Sequence, residues 1–89
     1  METLFPLGQC VITANAKGTL HPEDAQRALH RHAQGDWGEL CTEDLAANQQ
    51  ALLEGLRLFS RYTDRSGRVF WCITEHDRSV TTILLPEDY

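Results

Sequence analysis

The chain has 89 residues, 42% hydrophobic and 24% charged, with a formal net charge of −5. Those values fit a single small globular domain over residues 1–89, which buries only about two-thirds of its unfolded surface. The acidic balance argues against a protein that tracks nucleic-acid phosphates, and no apolar run approaches the roughly 20 residues that a membrane span needs.

The first eighteen residues lack a basic segment, a sustained apolar stretch and a cleavage site, so they do not read as a signal peptide and the cytoplasm is the expected compartment. "QCVIT" at 9–13 has the β-branched content of a short strand, and "NAKGT" at 15–19 reads as a turn. A helix then opens with His21 near the N-cap and Pro22 at the first helical position, where a missing N–H costs nothing. Glu23 and Asp24 face the positive end of its dipole. Ala25, Ala28, Leu29 and Ala33 form its narrow apolar stripe, and Gly35 stops it. The tight connection "GDWG" carries Trp37 as a plug for the edge of the core. A second helix starts with Thr42 as N-cap and ends near Glu54, with Gly55 as the terminating glycine. Leu45, Leu52, Leu53 and Leu56 fall on one broad face, expected to be its core side.

From residue 56 the apolar period changes from 3.6 to 2. "LRLFSRYT" (56–63), "RVFWCITE" (68–75) and "VTTILL" (80–85) alternate, separated by the turns "DRSG" and "HDRS". The predicted fold is therefore α+β, ordered β-α-α-β-β-β. It is a three-stranded antiparallel meander, extended by a fourth N-terminal strand if 9–13 joins it, packed on two helices. With four-residue turns throughout, one face of the sheet carries Leu56, Leu58, Ser60, Tyr62, Val69, Trp71, Ile73, Val80, Thr82 and Leu84 and should be the core. The other carries Arg57, Phe59, Arg61, Arg68 and Phe70, followed by Cys72, Thr74, Thr81, Ile83 and Leu85. A solvent face of a small sheet usually reads polar. This one sets aromatics among arginines, so Arg57, Phe59, Arg61, Arg68 and Phe70 are the candidate contact surface for a protein partner or a second copy. A bulge at Gly67 would shift the pairing, and the segment 3–7 or the strand 9–13 could cover this face.

Charge is uneven along the chain. Residues 21–55 hold Glu23, Asp24, Asp36, Glu39, Glu43, Asp44 and Glu54 against only Arg27 and Arg31. Residues 56–85 hold Arg57, Arg61, Arg65, Arg68 and Arg78 against Asp64, Glu75 and Asp77. Two further readings follow. The acids Glu39, Glu43, Asp44 and Glu54 could imitate phosphates toward a basic host nuclease or defence complex. Phe59 and Phe70 between arginines could stack single-stranded bases, although overall acidity and a single lysine weigh against nucleic acid.

No chemistry-bearing motif stands out, and the expected protein is not an enzyme, with no catalytic residue, metal or cofactor. There is no phosphate loop, no nucleophile elbow and no zinc-peptidase motif. Cys10, Cys41 and Cys72 are odd in number and widely spaced, unlike a disulfide or zinc framework. Glu75-His76-Asp77 reads as part of a hairpin turn, because adjacent side chains on a strand end diverge. His30 and His32 lie about 200° apart on a helix and cannot share a metal. Asp44 and Asn48, four apart, could form a polar pocket with Arg78.

The stretches "GDWGEL", "AANQQALLEGLRLFSRY" and "FWCITEHDRSVTTILLPEDY" resemble a family of small uncharacterised bacterial "plasmid-related" proteins carried on plasmids and integrated mobile elements. The resemblance covers residues 30–89. It implies a bacterial, cytoplasmic accessory protein of a mobile genetic element that acts by protein binding, and it supplies no catalytic residues.

Overall fold

A computed structural model describes residues 3–89. The elements are β1 (Gln9–Ile12), α1 (Ala14–Thr19), α2 (Pro22–Ala33), α3 (Thr42–Glu54), β2 (Leu58–Thr63), β3 (Val69–Thr74), β4 (Val80–Leu84) and a 3-10 turn (Pro86–Asp88). The fold is α+β: one four-stranded sheet in the order β1-β4-β3-β2, with β2, β3 and β4 antiparallel and β1 parallel to β4. The N-terminal strand thus joins the meander at its β4 edge.

The helix starts follow local chemistry. His21 caps α2 through Nδ1, which accepts from Glu23 N–H at 3.1 Å. Gly55 closes α3 in the left-handed region at φ 68°. The segment expected to turn at 15–19 instead belongs to a short helix. Thr13 caps it, its hydroxyl accepting from Ala16 N–H, and Ala16 is fully buried. The cap of α3 is Cys41 rather than Thr42, and it makes no side-chain capping bond.

Two apolar clusters fill the interior. In one, α1 and α2 lay Ala16, Leu20, Ala25 and Ala28 on Tyr62, Phe70, Cys72, Ile83 and Leu85 of the sheet. In the other, Phe5, Trp37, Ala51 and Leu58 meet beneath α3. Trp37 is the buried plug expected of it, although its Nε1–H has no partner among the described residues. The segment before β1 does not cover the outer sheet face. Leu4 N–H donates to the Ala33 carbonyl at the end of α2, and Phe5 enters the second cluster against His32 and Trp37.

The first correction concerns the sheet faces. The helix side carries Leu58, Ser60 and Tyr62 of β2, as expected, but Phe70, Cys72 and Thr74 of β3 and Thr81 and Ile83 of β4. The cause is the first turn. Thr63 pairs with Val69, so five residues, Asp64 to Arg68, make the connection instead of four. Asp64 Oδ1 organises it, accepting from Ser66 N–H and Arg68 N–H. One extra residue moves every side chain of β3, and of β4 paired to it, to the opposite face.

The second correction concerns α3. It presents Asn48 and Ala51 to the sheet and leaves Leu53 84% exposed, with Leu45 and Leu56 also exposed. Asn48 decides this orientation. Its amide donates to the Phe59 carbonyl at 2.5 Å and accepts from Phe59 N–H at 3.2 Å, so the side chain acts as one residue of a strand against the β2 edge. The next outward-facing residue of that edge, Arg61, is paired by the Trp37 carbonyl at 3.1 Å and Glu39 N–H at 2.7 Å. Gly38 makes that approach feasible. It sits at φ 76°, and a Cβ there would lie 2.0 Å from the Arg61 carbonyl oxygen.

Candidate binding site

The helices cover one face of the sheet, and the other face is left with a floor of Phe59, Val69, Trp71 and Ile73. Phe59 meets Trp71 edge-on at 5.1 Å, and Trp71 meets Tyr89 edge-on at 5.8 Å. Leu40, Asp44 and Ala47 wall this floor on the α3 side, and Arg57 and Tyr89 close another side, leaving a cleft of about 380 Å³. The surface continues past Phe59 and Trp71 to Glu39, Arg61, Val69 and Pro86. Arg57 holds the Tyr89 end in place. Its guanidinium lies 5.4 Å from the Tyr89 ring centroid, donates to the Tyr89 hydroxyl at 2.9 Å and stands 3.7 Å from Glu75. The turn at 86–88 is anchored by Asp88, which accepts from Thr13 Oγ1 at 2.6 Å and Asn15 Nδ2 at 3.0 Å. Those bonds hold the Asp88 carboxyl below its ordinary value, so it stays ionised at neutral pH.

Of the five expected contact residues, the structure brings three together. Arg57, Phe59 and Arg61 lie along the open face and its rim, with Arg57 and Arg61 exposed and Phe59 half-buried. Phe70 is a correction: it is 1% exposed, in the core beside Tyr62. Arg68 is exposed but belongs to the five-residue turn, away from the cleft lining. Trp71, expected in the core, takes the place intended for Phe70. Tyr89 was not singled out in the sequence, because no local pattern tells where a residue beyond the last strand folds back.

The acidic residues are spread out. Glu39 accepts from the Thr63 hydroxyl at 2.7 Å, and Asp44 walls the cleft. Glu43 shares the first turn of α3 with Asp44, whereas Glu54 lies at its last residue, about 16 Å along the axis. Asp44 and Asn48 both line the cleft, but Arg78 does not join them there. Asn48 is buried against β2, and Arg78 donates to the carbonyls of Ala51 (3.2 Å), Leu56 (2.6 Å) and Glu75 (3.1 Å), neutralising the C-terminal end of α3.

Glu75 to Ser79 form a hairpin turn. Arg78 N–H donates to the Glu75 carbonyl, Asp77 Oδ1 accepts from both Ser79 N–H and Ser79 Oγ, and Arg78 takes φ 61°. Among the described residues no group of three or more His, Cys, Asp or Glu side chains could hold a metal ion.

One polar constellation lies inside the core and was not visible in the sequence. Thr81 Oγ1 donates to the Leu7 carbonyl at 2.7 Å and stands 2.8 Å from Thr74 Oγ1, which stands 2.8 Å from His32 Nε2. His32 Nδ1 is 2.5 Å from Ser60 Oγ. A carbonyl can only accept, so Thr81 and then Thr74 have their single protons assigned, and His32 Nε2 must donate; with the ring neutral, Nδ1 accepts from Ser60. Burial, with Arg78 nearby, lowers its pKa to about 4. His32 is fully buried, so this chain ties α2 to three strands and cannot reach a substrate. The Cys72 thiol is likewise inert, pushed up by burial.

The fold and site thus define a small α+β domain with one covered sheet face and one open aromatic face. No protein-family model, curated protein or solved structure matches this chain significantly. No helix among the described residues is long and apolar enough to cross a membrane.

Proposed function

We propose that the chain is a non-enzymatic protein-binding module whose open sheet face receives a partner. The observation that supports this is the connected aromatic floor Phe59–Trp71–Tyr89, edged by Arg57 and Arg61 and walled by α3 along one side. Aromatic and arginine side chains that are partly pre-ordered lose little entropy on association, and they dominate interface energetics. An apolar or aromatic partner side chain seated on Trp71 would fill the cleft, while Arg57 and Arg61 favour acidic groups around it. The setting that accompanies this reading is the one the resemblance implies: a cytoplasmic accessory protein of a bacterial mobile element.

The phosphate-mimic alternative rests on four acids, and the distance of Glu54 from the other three leaves it weaker support. Stacking of single-stranded bases would use Phe59 and Trp71, since Phe70 is core, and the net charge of −5 weighs against it.

The test compares capture by the tagged protein with capture by a Phe59→Asp, Arg61→Glu variant from the same lysate at moderate salt. A partner held by the parent should be lost from the variant, since a central hot spot costs at least about 2 kcal/mol, roughly thirtyfold. Equal retention by both, with both folded, would remove the cleft from the interface.

A further inference from the structure

The two edges of the sheet are treated very differently. At β2 two of the three outward-facing residues, Phe59 and Arg61, have N–H and C=O paired, by the Asn48 amide and by the backbone of Trp37 and Glu39. At β1 the ladder to β4 runs through alternate residues: Gln9 N–H donates to Ser79 and Thr13 N–H to Ile83. In a parallel pair the intervening residues point away. The N–H and C=O groups of Cys10 and Ile12 therefore face outward, and they meet no partner among the described residues. The strand is only four residues long and Lys17 lines the groove beside it, but the strand itself carries neither of the in-strand protections, charge and proline. Gln9, Cys10, Val11 and Ile12 include no charge and no proline, and Val11 is 38% exposed. Beside the edge runs an apolar groove of about 340 Å³, lined by Leu20, Pro22, Ala25 and Leu29.

We propose that β1 pairs with β1 of a second copy of this chain, antiparallel, to give a continuous eight-stranded sheet. The occupant of such an edge must be an extended backbone, and the alternation of outward groups along the edge fits β1 itself. With a two-fold axis at Val11, Cys10 faces Ile12 of the partner copy, and each such pair exchanges two hydrogen bonds, so all four orphan groups on each strand are satisfied. Val11 then meets its own equivalent in the close, non-hydrogen-bonded position, covering its exposed side chain. A strand without charge meets its copy without repulsion, despite the net charge of −5 on each chain.

The axis stands perpendicular to the sheet, so the two open faces lie on the same side. The dimer would present two Phe59–Trp71 clefts to one partner surface and bind it with avidity. The dimer itself stands whether or not the clefts bind anything.

Sedimentation equilibrium of the full chain over a concentration series tests the proposal, alongside Val11→Lys and Val11→Cys, the latter with Cys10→Ser and Cys41→Ser. The parent should dimerise. Val11→Lys, which opposes two like charges at the axis, should weaken dimerisation at least about tenfold. Val11→Cys should form a disulfide-linked dimer on mild oxidation, since opposed non-hydrogen-bonded positions lie within disulfide range. A parent that stays monomeric at all soluble concentrations overturns the proposal. So does a dimer that Val11→Lys leaves intact, or one in which Val11→Cys fails to cross-link. Should Val11→Lys not fold, the cross-link decides.

Discussion

Acidification should weaken this fold through one side chain, His32, in a pH range where no other shifted group acts. The unfolded imidazole titrates near 6.5, and the folded one is lowered to about 4. A depressed histidine pKa means that the neutral form is the folded form. Its contribution is complete above pH 6.5 and is lost as the pH falls toward 4, at about 1.4 kcal/mol per pH unit. The full loss is about 3 kcal/mol, and about 2 kcal/mol of it falls between pH 7.5 and pH 5. For a domain of this size that is a large part of a net stability of roughly 5–10 kcal/mol. The carboxylates held below their ordinary value, Asp24, Asp36, Asp77 and Asp88, lose their contribution only as the pH falls below 3.8, so they do not contribute in this window. Urea unfolding followed by tryptophan fluorescence at pH 7.5 and 5.0 measures the loss. His32→Gln supplies the control, because its amide can still donate toward Thr74 and accept from Ser60 but cannot titrate. The variant should lose less than about 0.5 kcal/mol over the same interval, whatever its absolute stability. A wild-type slope that persists unchanged in His32→Gln would refute the reasoning.

Other perturbations read other parts of the structure. Asn48→Leu strips both partners from the Phe59 backbone and should cost about 2–4 kcal/mol in urea unfolding, where a surface substitution on the same helix, Gln50→Leu, should change less than about 0.5 kcal/mol. Gly38→Ala forces a Cβ onto the Arg61 carbonyl at a positive φ and should cost at least about 2 kcal/mol, read as a lowered melting temperature. Of the three free thiols, Cys10 and Cys41 are exposed and should react with a thiol reagent in the native protein, with Cys72 reacting only after denaturant is added. Arg65→Ala removes the fork that holds the first hairpin turn to Asp24 of α2, at 3.0 and 3.1 Å. Asp24, whose pKa that fork and the Arg65 backbone N–H together lower to about 2, should then rise part of the way toward 3.8 by carboxyl NMR shifts, since the backbone bond remains.

The element types and order were largely legible in the sequence because each long element carries its own punctuation. Pro22 and the acids behind it start α2, Gly55 ends α3, and the switch to a period of two announces the three strands. Parity within each strand was legible for the same reason. What could not be read was how one strand's parity connects to the next, since that depends on whether Asp64 gathers four or five residues into a turn. That single residue exchanged Phe70 for Trp71 on the open face and left Arg57, Phe59 and Arg61 as the surviving part of the expected surface. The helix Ala14–Thr19 was hidden by its length and by Gly18 within it, although Thr13 is the kind of residue that caps a helix. The leucines of α3 misled because periodicity weighs apolar character, whereas the helix is oriented by a polar contact, Asn48 against a strand edge. The chain through His32, Thr74 and Thr81 joins residues far apart in sequence, and only the register of β3 on β4 brings them together.

The central claim is that the open aromatic face is where this protein meets its partner. The most direct measurement places a photo-reactive phenylalanine analogue at Arg61, on the rim of that face, and in parallel at Gln26, which lines the groove beside β1, and at Glu54 on the acidic end of α3. Each variant is irradiated in a lysate of the source organism. A discrete adduct from position 61, lost when Phe59→Asp is added, is the predicted result. No adduct at 61 with a discrete one at 54 would contradict it and transfer the interface to the acidic helix.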